Sequence, residues 1–243
     1  MSDATDPWLD YWERVPEGRL LFAPESEEYV CNFLWEFQPK STDRVLDYGC
    51  GFGTIARLLA PHVGAIRVWD DAANMRRIAA GNLAGIPNAA EWDRRESGFD
   101  YVLVNSVVQY LTSKELETKI GEWAELLGPN GRIVLSDWSE PGHSTWSDLW
   151  SLFRFSVRRG YFLRAVRNTL AERGRYDATA RRRPPYHPSK AEIDRFATAA
   201  GLSACYLARN LTHFRGRRTA VLSRTAHASA YRESPAPAVC AHR

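Results

Sequence analysis

The sequence predicts an α/β protein built on a doubly wound, mostly parallel sheet. Three observations carry this expectation. Short apolar strand patterns alternate with helical patterns from residue 26 to residue 137. A glycine loop follows directly on the first strand, in VLDYGCGFGT at residues 45–54. Two late strand patterns are separated by a turn region short enough for an antiparallel pair.

Each element has its own reason. Residues 26–37 (SEEYVCNFLWEF) space apolar side chains helically and carry acids in the first turn, which suits a helix start. Residues 44–48 (RVLDY) form a short buried strand, and 54–62 a helix closed by Pro61 and Gly64. A second strand covers 65–70, a helix 73–84, a short strand 89–92 and a strongly apolar strand 99–105. Thr112 and Glu115 have capping-box spacing and open a helix to about residue 127. The stretch GPNG at 128–131 reads as a stop and turn before a strand at 132–137. Long helical patterns then fill 144–175, and 176–188 is a polar, Arg/Pro-rich loop. Ser189 and Glu192 make a second capping box, and Gly201 ends its helix. Strands at 203–209 and 218–224 close the pattern. Residues 1–225 are expected to be one domain, with 144–188 a helical lid, and 226–243 (rich in Ala, Pro and His) a disordered tail.

Composition bounds the function. The 243 residues are 44% hydrophobic and 25% charged with net charge +3, ordinary for a globular protein. So modest a charge does not favour nucleic acid as a partner. The four cysteines (Cys31, Cys50, Cys205, Cys240) form neither a CxxC nor a Cys/His cluster, so no metal site and a reducing cytoplasm are expected. No run reaches the roughly 18 apolar residues of a membrane span.

The glycine loop poses the functional question. A Walker loop needs GxxxxGK[ST], and no Lys follows Gly53. A dinucleotide fingerprint needs GxGxxG, whereas Gly49, Gly51 and Gly53 are spaced GxGxG. Asp47 stands at the strand tip ahead of them. Its carboxylate would repel a pyrophosphate by about a kcal/mol or more, and would favour a cationic ligand such as S-adenosylmethionine. Bare glycines let the backbone approach that ligand closely. Asp70 ends the second strand, 17 residues past Gly53. A carboxylate there can accept from both ribose hydroxyls.

These segments resemble class I S-adenosylmethionine-dependent methyltransferases of the small-molecule type, over about residues 25–225. VLDYGCGFG is similar to that family's first motif, and VWDDAANM to the second, where the strand-ending acid, here Asp70, binds ribose. FDYVLVNSVVQYL is similar to the fourth strand and its loop, so that Asn105 and Ser106 fall where the methionine end lies. LLGPNGRIVLSD is similar to the fifth-strand segment. The resemblance implies a seven-stranded Rossmann-like sheet with an antiparallel last strand, and S-adenosyl-L-methionine as cofactor with S-adenosyl-L-homocysteine as product. NAAEWDRRESGFD is short where an acid usually contacts adenine, and Trp92 or Asp93 is the candidate. Asp71 is grouped with the cofactor candidates, its role open. Met75 suits either the adenine face or the core.

Methyl transfer from a sulfonium is an in-line displacement that needs positioning above all, and for a hydroxyl or amine acceptor also a base. His143 follows the fifth strand, and His187 sits in a loop able to close over the site. Tyr110 and Tyr186 are further candidates. Between Ser151 and Arg183 stand ten arginines against Glu172 and Asp177, a net +8, interleaved with aromatic residues. One reading is an amphipathic lid with its apolar stripe on the core and arginines in water. The other is an acidic partner: a carrier-protein-bound substrate, a phosphorylated lipid or a membrane surface. The expected activity is methyl transfer to a small-molecule acceptor, of bacterial secondary metabolism by the aromatic lid. Two alternatives stay open: a non-methylating protein on the same cofactor, and an NAD(P)-dependent oxidoreductase.

Overall fold

A computed structural model describes residues 6–16 and 23–224. The tail expected at 226–243 lies outside the described residues. Helices α1 (Pro7–Glu13) and α2 (Ala23–Phe37) precede the sheet. Then follow β1 (Arg44–Tyr48), α3 (Thr54–Leu59), β2 (Ala65–Trp69), α4 (Ala73–Leu83), β3 (Ala89–Glu91), β4 (Phe99–Asn105) and α5 (Ser113–Glu125). The chain continues through β5 (Leu127–Trp138), α6 (Thr145–Arg158), α7 (Phe162–Arg182), α8 (Lys190–Ala199), β6 (Ser203–Tyr206) and β7 (Arg218–Ser223).

The seven strands lie in the order β3-β2-β1-β4-β5-β7-β6. All neighbours are parallel except β7, which runs antiparallel to both β5 and β6. This is the doubly wound architecture that the alternating pattern predicts. β1 and β4 are adjacent, yet the chain leaves them toward opposite edges. The crevice at their carboxyl ends is the switch point where such sheets bind ligands.

Central strands are apolar on both faces because helices cover both. Val102, Leu103 and Val104 of β4 and Ile133, Val134 and Leu135 of β5 are fully buried. One face packs Leu46, Val102, Val104 and Leu135 against Trp123, Ile120 and Phe196 of α5 and α8. The other packs Val45, Leu103 and Val134 against Phe33, Leu59 and Ala79 of α2, α3 and α4. Both capping boxes form: Thr112 with Glu115, and Ser189 with Glu192.

The structure corrects three local expectations and adds one element. GPNG does not end an element: it bulges within β5, so Phe99 pairs with Leu127 but Tyr101 with Arg132. The loop expected at 176–188 begins only after Arg182, because Tyr176 packs on Trp8 and Tyr11 of α1 and carries the helix past Gly174. The strand expected to reach 209 stops at Tyr206. Finally, α1 carried no expectation. It is short and polar-spaced, but Asp6 caps it and it buries Trp8 and Tyr11.

Candidate active site

The glycine loop is pinned to β2. Gly49 and Cys50 N–H groups donate to the Trp69 carbonyl at 2.7 and 3.0 Å. Gly49, Gly51 and Gly53 all have positive φ, at 76°, 52° and 69°. A Cβ on Gly49 would lie 2.2 Å from Val107 Cγ2, so the loop crosses close over the segment after β4. A Cβ on Gly51 would meet nothing within 4 Å, so the loop presents open backbone there.

Asp47 is 2% exposed, and its Oδ2 is buried without a hydrogen-bond partner. Burial above all, then the charge of Asp70, pushes its pKa up to about 7. A cationic group at this place would supply the missing partner, and the chemistry of the cradle fits a ligand with an ammonium rather than a phosphate. Asp70 receives the Gly51 N–H on Oδ2 and the Ala72 N–H on Oδ1, each at 3.0 Å. Burial pushes its pKa to about 6, against these bonds. Asp71 is exposed and accepts from Tyr48 Oη and Trp69 Nε1. Asp93, past the end of β3, is exposed and caps the N–H groups of Arg95 and Glu96. Met75 belongs to the core, fully buried with Trp8, Tyr11, Val15 and Ala72.

The tips of β4 and β5 are held together. Asn105 Oδ1 accepts from Ser136 Oγ. Ser106 and Asp137 both take left-handed backbone, at φ 57° and 62°, a conformation that costs roughly 1–3 kcal/mol for such residues. Ser106 Oγ donates to Asp137 Oδ2 at 2.5 Å. Asp137 also receives Arg217 Nη1 at 2.7 Å, Thr212 Oγ1 at 2.6 Å and Asn210 Nδ2 at 3.0 Å. Burial alone would raise its pKa; the Arg217 charge and these hydrogen bonds hold it below the ordinary carboxylate value.

Beside this network lies a cavity of about 670 Å³, walled by α1, α6, α7 and the loop before α8. His143, His187 and Tyr110, far apart in sequence, all line it. His143 Nε2 lies 2.9 Å from Asp148 Oδ1, and Arg217 grips the other Asp148 oxygen with Nε and Nη2. His187 Nδ1 lies 2.8 Å from Ser139 Oγ, and partial burial with nearby His143 and Arg217 lowers its pKa. Tyr110 packs on Trp8 and Trp12, and burial raises its pKa far above that of a free phenol. Tyr186 donates to Glu192.

Among the residues of this cavity that carried no sequence expectation are Glu25, Asp137, Asp148 and Arg217. Glu25 accepts from Tyr161 Oη at 3.3 Å, and burial pushes its pKa to about 8, so it carries a proton at pH 7. An acid ending an apolar strand was the available signal for Asp137; an Arg in a GRR turn gave none for Arg217. His213 stacks between Phe155 and Phe214 at 4.3 and 4.0 Å, anchoring α6 to the β6–β7 turn. Burial pushes its pKa down to about 4.

Residues 22–204, three-quarters of the chain, match the methyltransferase domain family. The chain belongs to that family. An uncharacterised methyltransferase of Oceanobacillus iheyensis is 24% identical over 139 residues, which is 56% of this chain and 65%, just under two thirds, of that relative. Solved structures share the methyltransferase fold at low identity. An S-adenosylmethionine-dependent methyltransferase of Leishmania major superposes with TM-score 0.59 at 16% identity, over 88% of this chain and 81% of that one. The magnesium protoporphyrin IX methyltransferase of Synechocystis PCC 6803 with bound S-adenosylhomocysteine gives 0.55 at 18%, over 92% and 95%. Mitomycin 7-O-methyltransferase gives 0.62 at 14%, over 92% and 62%. The Synechocystis enzyme is solved with S-adenosylmethionine and with S-adenosylhomocysteine bound.

The acids of the cradle give this methyltransferase a pH signature. Asp47 and Asp70 titrate near 7 and 6 when folded, against 3.8 ordinarily. Through these two acids the folded state holds more protons than the unfolded state between about pH 4 and 7, and their contribution to stability falls as pH rises through that window. Without cofactor, the melting temperature should drop from pH 5 to pH 8, and Asp47→Asn should flatten that slope. S-adenosylhomocysteine, whose ammonium favours ionised Asp47, should raise the melting temperature more at pH 8 than at pH 5. An equal rise at both would take Asp47 out of the ligand's reach.

Proposed function

We propose that the protein methylates an apolar small molecule presenting a hydroxyl or amine, held in the 670 Å³ cavity. The observation that carries this reading is the His143–Asp148–Arg217 chain at the cavity wall. Asp148 orients the imidazole as an acid does in a hydrogen-bonded triad, and Arg217 fixes Asp148.

The division of labour follows from the groups present. Asp47 holds the cationic end of S-adenosylmethionine, Asp70 the ribose hydroxyls, and Asn105 and Ser106 border the methionine end. The sulfonium supplies an already activated methyl group, so positioning is the larger part of the task, worth up to about 7–11 kcal/mol. Tyr11, Trp12, Tyr110, Leu149, Leu152 and Tyr176 offer the acceptor an apolar bed. Protonated Glu25 can donate a hydrogen bond to it. His143 takes the proton that the acceptor oxygen or nitrogen loses. The lid helices keep water out.

The test is turnover with methyl-labelled S-adenosylmethionine and a panel of hydroxyl and amine acceptors. On an accepted substrate, His143→Gln should lower kcat by about 10²–10⁴-fold. Calorimetric binding of S-adenosylhomocysteine should not change. Undiminished turnover would assign His143 to packing.

A further inference from the structure

The lid does not follow the expectation of an apolar stripe turned to the core. Among the described residues, every exposed large apolar side chain lies on α6 or α7. On α6, Trp146 (78% exposed), Leu149, Trp150, Phe153 and Val157 recur at helical spacing on one outward face. On α7, Leu163 (82%), Val166 and Leu170 (67%) do the same. Phe153 and Phe162 meet edge to face at 5.4 Å, which joins the two helices into one surface. An apolar patch this extended on a water-facing surface marks a binding face.

The charges around the patch state what covers it. Arg154, Arg158, Arg167 and Arg173 of the same two helices are exposed, and so are Arg181 and Arg182 at the end of α7. Asp177, paired with Arg173 at 3.6 Å, is the one exposed acid among the described side chains of α6 and α7. The inward arginines have fixed partners: Arg159 binds Glu27 and Glu28, and Arg183 binds Asp6 and Glu115. Tryptophan and aliphatic residues ringed by outward arginines match a surface with an anionic skin over a hydrocarbon interior. No described helix is long and apolar enough to cross a membrane, so contact would lie in the interface plane.

We infer that α6 and α7 seat this protein on an anionic lipid surface, from which the acceptor enters. Leu149 connects the two halves of this inference: it is half exposed on the patch and also lines the acceptor cavity. The acceptor is then an amphiphile that partitions into the lipid layer, which rests on the reading of that cavity as the acceptor site.

Sedimentation of the full chain with vesicles tests the inference. One set is phosphatidylcholine alone, the other contains about one-third phosphatidylglycerol. The protein should sediment with the anionic vesicles and be released by salt. Trp146→Ser/Trp150→Ser/Phe153→Ser should weaken that association at least tenfold. Arg154→Gln/Arg158→Gln/Arg167→Gln should abolish the preference for anionic lipid and its salt dependence. Each variant should bind S-adenosylhomocysteine as before, which shows that it is folded. Protein left in solution with both vesicle types overturns the inference, as does a self-association that the aromatic variant abolishes without any vesicle binding. If instead the unaltered protein sediments with vesicles but transfers no methyl group to any amphiphilic hydroxyl or amine, the cavity reading fails and the docking face stands.

Discussion

Arg217→Met is expected to destabilise the fold by about 3–5 kcal/mol, the cost of leaving buried carboxylates without their cation. Asp137 is 3% exposed, and Arg217 neutralises it while also gripping Asp148. The guanidinium further lies 4.2 Å from the Phe214 ring centre. Methionine keeps much of the volume and none of the charge. For a chain of this size each kcal/mol moves the melting temperature by about 2–4 °C, so a drop of about 6–20 °C should follow. Adding Asp137→Asn to the variant should recover part of the loss, because one of the stranded charges is removed. A melting temperature unchanged in the single variant would mean that other donors suffice for Asp137.

Asp70→Ala should weaken S-adenosylhomocysteine binding by about 100-fold. Two hydrogen bonds from ribose hydroxyls to a carboxylate are worth about 1.5–3 kcal/mol each, and part of the loss is offset by water. The variant also releases the Gly51 and Ala72 N–H groups, which Asp70 holds at 3.0 Å. Asp70→Asn separates these roles: its amide oxygen can still accept from a loop N–H, but without the charge. Calorimetry should therefore place the asparagine variant between the other two proteins. Affinity unaffected by either substitution would remove Asp70 from the ribose site.

What could be read ahead of the structure follows from the range of the interactions. The parallel strands were legible because β1, β4 and β5 are apolar runs bounded by turn residues, a local signal. The strand–loop–helix unit of the candidate cradle was legible for the same reason: Asp47, Gly49, Gly51 and Gly53 lie within seven residues of one another. The candidate acceptor site was only half legible. His143 and His187 could be named by their place after the sheet; Asp148 stands only five residues past His143, but Ser139 meets His187 across 48 positions of chain. Arg217 reaches Asp137 across 80 positions of chain, and no periodicity encodes that contact. The lid misled for a related reason. Its helical spacing is plain, but spacing gives the existence of an apolar stripe and not the direction it faces. α1 is a case of context overriding propensity, its place fixed by Trp8 and Tyr11 against Tyr110 and Tyr176.

The position of β7 between β5 and β6 orders events on the ribosome. β6 is made first, yet it finds no neighbour in the sheet until β7 emerges and slots in. Arg217 arrives with that same late segment, directly ahead of Arg218 at the strand's start. A growing chain thus carries its glycine loop, complete by residue 53, long before Arg217 can reach Asp137 and Asp148.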